Sequence, residues 1–104
     1  MSLALKAALG IAPPLTIFGQ NLDTPDGTCI RDFVHVPDLG SAHLQALSYL
    51  ANGGPSVALN LGTGQGTSIL ELLNVNEEVS QRKVAHIYAA PRVGDPPVLF
   101  AAAD

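Results

Sequence analysis

An α/β fold with a partly parallel sheet, too small to cover itself, is what this sequence predicts, and three observations carry that expectation. Helix-like and strand-like segments follow one another in the order helix, strand, strand, helix, strand, helix, strand, which requires crossover connections and some parallel pairing. Such sheets are ordinarily covered on both faces, and three or four short strands with two main helices cannot do that. The 104 residues suffice for one small domain with a thin core. Hydrophobic residues make up 47% of them and charged ones 13%, too apolar for a disordered chain. Charge is also scarce for a self-sufficient small domain, whose surface is usually about a quarter or more charged. The expectation is a single partial domain over residues 1–104, built as a small mixed or parallel sheet.

Each element has its own signal. Leu3 to Leu9 is helix-favouring, and Gly10 followed by Pro13 and Pro14 stops it. Leu15 to Phe18 reads as a short strand ending at Gly19. Gln20 to Thr28 is turn chemistry, tightest at Pro25-Asp26-Gly27. Ile30 to Val36 alternates apolar and polar residues with β-branched and aromatic content, which fits a strand. Asp38 is placed to cap a helix from about Leu39 to Ala51, with Leu39, Ala42, Ala46, Leu47 and Leu50 on one stripe. Gly53-Gly54-Pro55 closes it, and Val57 to Leu61 reads as a further strand. Gly62 to Gly66 is a tight loop, after which Ser68 and Glu71 form a capping box for a helix to about Val79. Asn74 and Asn76 are unusual in that helix, since Asn is a poor helix former. Val84 to Ala89 is the last expected strand. Pro91 to Pro97 is irregular, and Val98 to Ala103 is an apolar tail.

Charge and composition exclude several functions. Net charge is −4 with five Lys and Arg, which argues against a nucleic-acid face, while one or two Arg can still hold a small anion locally. Cys29 is the single cysteine, so there is neither an intrachain disulfide nor a Cys-rich zinc site. The opening residues are too short and lightly flanked for a signal peptide, and no apolar run approaches the roughly 20 residues of a membrane span. A cytoplasmic location is the default expectation.

Most candidate chemistry has a plainer structural explanation. Gly62-Thr63-Gly64-Gln65-Gly66 lies between a strand and a helix, but Thr67 stands where a G-x-G-x-x-G loop needs glycine. A tight turn is the expectation there, although an anion at the helix start is physically permitted. His35, His43 and His86 share no metal-ligand spacing, so no metal site is expected. Cys29 has no neighbouring base, and Asp23, Asp26, Asp32 and Asp38 sit where local hydrogen bonding is their usual work. Arg31 and Arg92 stand out as scarce cations beside loops. A planar guanidinium can grip a diphosphate with two parallel hydrogen bonds, and Asp95 lies close enough in sequence to accept from a sugar or ribose hydroxyl. Ordinary salt bridges are the alternative for all three.

The run Pro14 to Asp38, PLTIFGQNLDTPDGTCIRDFVHVPD, resembles UDP-glucose 4-epimerases of the extended short-chain dehydrogenase/reductase, or NAD-dependent epimerase/dehydratase, family. Ala4 to Gly10 (ALKAALG), Asn60 to Gly64 (NLGTG) and Arg92 to Pro96 (RVGDP) are similar to theirs in the same order. The D-G-T-x-x-R-D-[FY]-[VI]-H-V string is the specific part, while related nucleotide-sugar dehydratases and epimerases share the R-D and G-D-P elements more loosely. The resemblance implies that this is the C-terminal, substrate-binding region of such an enzyme. By it, Arg31 and Arg92 hold the diphosphate of a UDP-sugar, Asp95 binds ribose hydroxyls, Phe18 packs on uracil, and the backbone near Thr16 helps read its edge. Pro91 departs from the pattern, since many relatives carry a second Arg there.

The resemblance also implies what is missing. The family moves a hydride between C4 of the sugar and bound NAD, using a glycine-rich loop near its N-terminus and a catalytic Tyr with Lys four residues on. Here Tyr49 is followed at that spacing by Gly53 and Tyr88 by Arg92. The expectation is therefore no catalytic and no NAD-binding residue, an NAD-binding Rossmann domain absent, and no activity from this chain alone. It would contribute part of the site at which UDP-glucose and UDP-galactose interconvert. The alternatives are a self-associating or partner-dependent structural module, or a part of another nucleotide-sugar epimerase or dehydratase. Either way the Leu39-to-Leu50 stripe is expected to need a cover, from a missing N-terminal domain or a second copy.

Overall fold

The computed structural model describes residues 2–102, and Ala103 of the expected tail lies outside them. Among these residues three helices and five strands form: α1 (Ser2–Ala8), β1 (Leu15–Phe18), β2 (Ile30–Arg31), α2 (Val36–Ala51), β3 (Thr67–Ser68), α3 (Ile69–Ser80), β4 (His86–Ala89) and β5 (Val98–Leu99). The strands make two small sheets. β1 pairs with β4 in parallel, Leu15 opposite His86 through Phe18 opposite Ala89. β2 lies between β3, antiparallel to it, and β5, parallel to it. The mixed α/β class is as expected.

The core is made of small side chains. Ala4, Ala7 and Ala8 of α1 let that helix approach α3 and β1 closely, where Leu73, Ile17 and Val84 close the cluster. Gly10, at φ 72°, ends α1 in the left-handed conformation that glycine adopts without strain. The short first helix, expected beside two main ones, thus anchors the core. In α3, Asn76 is tolerated because its buried amide donates to the Leu72 carbonyl one turn back, at 2.8 Å.

A polar knot ties the turn before β2 to the start of α3. Thr28 is fully buried and its hydroxyl donates to Asp26 Oδ1 at 2.7 Å, while the Thr28 amide donates to the same oxygen at 2.9 Å. Ser68 donates its hydroxyl to Asp26 Oδ2 and accepts from the Glu71 amide at 3.1 Å; Glu71 in turn accepts from the Ser68 amide, completing the expected capping box. Gly27 is obligatory in this turn. Its φ is 82°, and a Cβ would lie 2.0 Å from the Gln20 carbonyl oxygen.

Several boundaries differ from the sequence expectation. β2 stops at Arg31 instead of running to Val36, because Asp32 leaves the sheet to hold the 62–66 loop. His35, not Asp38, is the cap residue of α2, and Pro37 sits in its first turn, where a missing N–H costs nothing. Asp38 falls in that first turn, favourable for a carboxylate. β4 begins at His86, since the Val84 amide is taken by Glu77 Oε1 at 3.2 Å. The tail gains a strand at Val98–Leu99.

Val57 to Leu61 is the largest correction: no strand forms there, and among the described residues no main-chain hydrogen bond joins it to another segment. A strand needs a partner, and α2 beside it has no buried residue. The two leave an apolar groove of about 700 Å³ between them, lined by Ala46, Leu50, Val57 and Leu59 among others. Accessible surface totals 7417 Å², about a third more than the ~5,500 Å² of a compact monomer of this mass. The radius of gyration is 16.9 Å, against about 13 Å for a compact chain of this length.

Thr28→Val removes a buried hydroxyl at constant shape and leaves Asp26 short of a donor. It should cost about 1–3 kcal/mol, read as a lower midpoint in urea denaturation. Burial tends to raise the Asp26 carboxyl, but the hydrogen bonds from Ser68 and Thr28 outweigh it and hold it below the ordinary 3.8. A depressed carboxyl contributes stability that is complete above 3.8 and lost as pH falls through its folded value. Acid titration of unfolding should therefore be shallower in Asp26→Asn, which starts less stable at neutral pH.

Candidate functional site

Three stretches far apart in sequence converge beyond the C-terminal ends of the parallel pair β1 and β4. The first is β1, whose last residue is Phe18. The second is the segment after β4, which turns through Arg92 to Asp95 with the Asp95 amide donating to the Arg92 carbonyl at 3.2 Å. The third is β2, which presents Arg31. What brings the second and third together is strand pairing. The Ile30 amide donates to the Pro97 carbonyl at 2.8 Å and β5 runs alongside β2, so the residues just before β5 must arrive beside Arg31.

One carboxylate then bridges two guanidiniums. Arg31 Nη2 donates to Asp95 Oδ1 at 2.7 Å, and Arg92 donates to Asp95 Oδ2 through Nη2 at 2.9 Å and Nε at 3.2 Å. Arg31 is steadied by its own strand, Nη1 donating to the Ile30 carbonyl at 2.8 Å. The Arg92 guanidinium lies over the Phe18 ring, its central carbon 4.7 Å from the ring centroid, within the range of a cation–π contact. The hydrogen bonds from Arg92 are the largest influence on the Asp95 carboxyl; desolvation opposes them, and with the hydrogen bond from Arg31 and the field of both cations the carboxyl is held below its ordinary value. Two cations and one anion leave a local charge of +1 in a chain of net charge −4.

Four of the five residues singled out in the sequence, Phe18, Arg31, Arg92 and Asp95, are thus in one connected cluster. Thr16 stands two residues before Phe18 on β1, hence on the same face of the strand, paired in register with Ile87. Next to the cluster is an open cavity of about 340 Å³, walled by Gly19 to Asn21 on one side and Tyr88 to Pro91 on the other. Its position outside the carboxyl ends of parallel strands is where open α/β sheets bind their ligands. Gln20 and Asn21, treated in the sequence only as turn residues, are the polar side chains bordering it. Their signal was that they directly follow a strand ending in Phe-Gly.

The glycine loop has a different role from anion binding. Asp32 accepts from the Thr63 hydroxyl at 2.6 Å, from the Thr63 amide at 3.0 Å and from the Gly64 amide at 3.3 Å. These bonds, the Thr63 hydroxyl foremost, hold the Asp32 carboxyl below its ordinary value. A Cβ on Gly62 would lie 2.4 Å from Asp32 Oδ2, so glycine there lets the carboxylate in. The amides that an external anion would use face a carboxylate of the chain itself. Among the described residues, no group of three or more His, Cys, Asp or Glu is placed to hold a metal ion, and no helix is long and apolar enough to cross a membrane.

Residues 1–62 match the model of the NAD dependent epimerase/dehydratase family. The chain is 51% identical to a UDP-glucose 4-epimerase of Azospirillum brasilense over 104 residues, which is all of this chain and 30% of that protein. A UDP-glucose 4-epimerase from Brucella ovis, solved in complex with NAD, superposes with a TM-score of 0.91 at 45% identity, over 96% of this chain and 31% of that one. A UDP-glucose-4-epimerase from Stenotrophomonas maltophila, with bound NAD and formylated UDP-arabinopyranose, gives 0.90 at 42%, over 96% and 30%. The chain spans about 30% of the length of the curated relatives it matches.

Asp32→Ala should free the 62–66 loop. The expected result is faster amide hydrogen exchange at Thr63 and Gly64, with the amides of the α3 interior unchanged.

Proposed function

We propose, because this chain belongs to the NAD dependent epimerase/dehydratase family, that it supplies the diphosphate- and base-holding side of a UDP-sugar site in a UDP-glucose 4-epimerase. The observation that carries this reading is the convergence of Phe18, Arg31, Arg92 and Asp95 from three separate stretches. In this reading residues 1–104 are one partial domain, the C-terminal, substrate-binding region of the enzyme. No segment of the sequence has the glycine spacing of a nucleotide loop or a Tyr with Lys four residues on.

The chemistry assigned to these residues is binding and orientation. Arg31 and Arg92 grip the two phosphoryl groups, each guanidinium offering paired donors that match phosphate oxygens. Phe18 gives the uracil an apolar face, with the backbone near Thr16 beside its edge. Asp95, which links the two guanidiniums in the ligand-free chain, accepts from ribose hydroxyls. NAD supplies the hydride chemistry in the intact enzyme. The 62–66 glycine loop does not fit that cofactor, since the amides of Thr63 and Gly64 are taken by Asp32. Turnover of UDP-glucose and UDP-galactose belongs to the whole enzyme.

A second reading is favoured by a different observation. No residue of α2 is buried, with Leu47 65% and Leu50 54% exposed, and an exposed apolar face of this size marks an interaction surface. By this reading the chain is a partner-dependent module. Its α2 face and Val57–Leu61 are covered by the remainder of the enzyme, or by a second copy of the chain when that remainder is missing.

Calorimetric titration of UDP into the folded chain, beside Arg92→Ala and Arg31→Ala, tests the first reading. Each substitution removes charge-assisted hydrogen bonds and should weaken UDP about 10- to 100-fold. UDP binding indifferent to both changes sinks the assignment. For the second reading, light scattering should show a mass that rises with concentration. A monodisperse monomer at high concentration counts against it.

A further inference from the structure

Arg92 has two neighbours in the structure that a bound nucleotide also requires: the face of Phe18 and the carboxylate of Asp95. Its guanidinium sits over the ring at 4.7 Å, the volume a stacked base occupies. Its Nη2 and Nε are spent on Asp95 Oδ2. The side chain is 61% exposed, so it is held by these contacts alone and has room to rotate. Arg31, by contrast, is 20% exposed and tied to the Ile30 carbonyl as well as to Asp95. The two cations therefore differ: one is fixed and one is movable.

We infer that Arg92 is a placeholder that couples recognition of the base to recognition of the diphosphate. Without ligand it covers the Phe18 face and fills one side of Asp95. With ligand it leaves both, turning its guanidinium to the phosphates, so the ring is uncovered for a base and Asp95 Oδ2 is released for a hydroxyl. This deepens the UDP-site reading above and rests on it. The consequence is thermodynamic. A ligand carrying only the phosphates draws Arg92 off the ring and removes a cost that a ligand carrying only the base otherwise meets. The two halves of the nucleotide must then bind with positive cooperativity, and the coupling must be reciprocal.

Nuclear magnetic resonance titrations of the chain with uridine and with inorganic pyrophosphate separate the possibilities. In the free chain, the Arg92 side-chain protons should resonate upfield because of the ring beneath them, and pyrophosphate alone should abolish that shift. Saturating pyrophosphate should tighten uridine about fivefold or more, and uridine should tighten pyrophosphate by the same factor. Arg92→Ala should bind uridine as well as the pyrophosphate-loaded chain does, show no coupling, and bind UDP more weakly. UDP weakened by Arg92→Ala without any gain for uridine overturns the placeholder and leaves the site reading standing. UDP unaffected by the substitution, or no response of the folded chain to either half-ligand, overturns the site reading and the placeholder with it.

Discussion

The Asp26 carboxylate, with both oxygens engaged, is the point from which the rest of this small structure is suspended. Oδ1 takes the hydroxyl and amide of Thr28, and Oδ2 takes the hydroxyl of Ser68, which is itself the cap of α3. One side chain therefore fixes the end of the long turn, the start of β2 and the first turn of the helix that carries Leu72 and Leu73 into the interior. With no large side chain fully buried, and a core built from three alanines, two leucine-sized residues and a valine, apolar burial alone gives little directional preference. Hydrogen bonds converging on the buried Thr28 and Ser68 do have direction, and here they decide which way the chain leaves the turn.

The candidate cluster inherits its geometry from that knot. Once β2 is placed, β5 pairs with it, and the segment ending at Asp95 is delivered next to Arg31. β1 and β4, aligned by their own parallel ladder, deliver Phe18 and Arg92 to the same end. Two registers, each only a few residues long, thus set four side chains from three stretches. A one-residue slip in β2 would turn Arg31 to the opposite face of its sheet. The Asp32 clamp on Thr63 and Gly64 works against such a slip, since it fastens the residue after Arg31 to a loop that leads into β3 and α3.

Local signals in the sequence were sufficient where the structure is local. β1 was legible to the residue, α1 to within a position, and the Ser68–Glu71 box with its helix almost as closely, because caps, glycine stops and short β-branched runs act over a few residues. Non-local decisions were not legible. Val57 to Leu61 has the composition of a strand, yet strand formation depends on a partner that composition does not supply. Ile30 to Val36 alternates properly, but Asp32 had a better use in the loop opposite. β3 and β5 are two-residue pairings that exist because β2 is between them. Arg31, Arg92 and Asp95 stood out as charges beside loops, with salt bridges among the expectations, and Asp95 does bridge both guanidiniums; Phe18 and Thr16 came only through resemblance to a family, and neither route told that Arg92 lies on Phe18.

The open face of the molecule bears directly on how well such a site can work. Arg92 is largely in water, where the attraction between a guanidinium and a phosphate is screened and hydration competes for the same donors. Geometry is supplied by this chain, while a low dielectric is not. The surface in excess of a compact monomer, roughly 1,900 Å² by the mass scaling, is of the order of a specific protein interface, and α2 with Val57–Leu61 carries part of the exposed apolar side chains. A cover placed there would complete the fold before it touched the ligand. If the site holds phosphates as proposed, its effect on binding would pass through further walls that exclude water from them and raise the worth of each contact. On the reading proposed above, affinity in isolation and affinity in an assembled enzyme should therefore differ mainly through solvent exclusion.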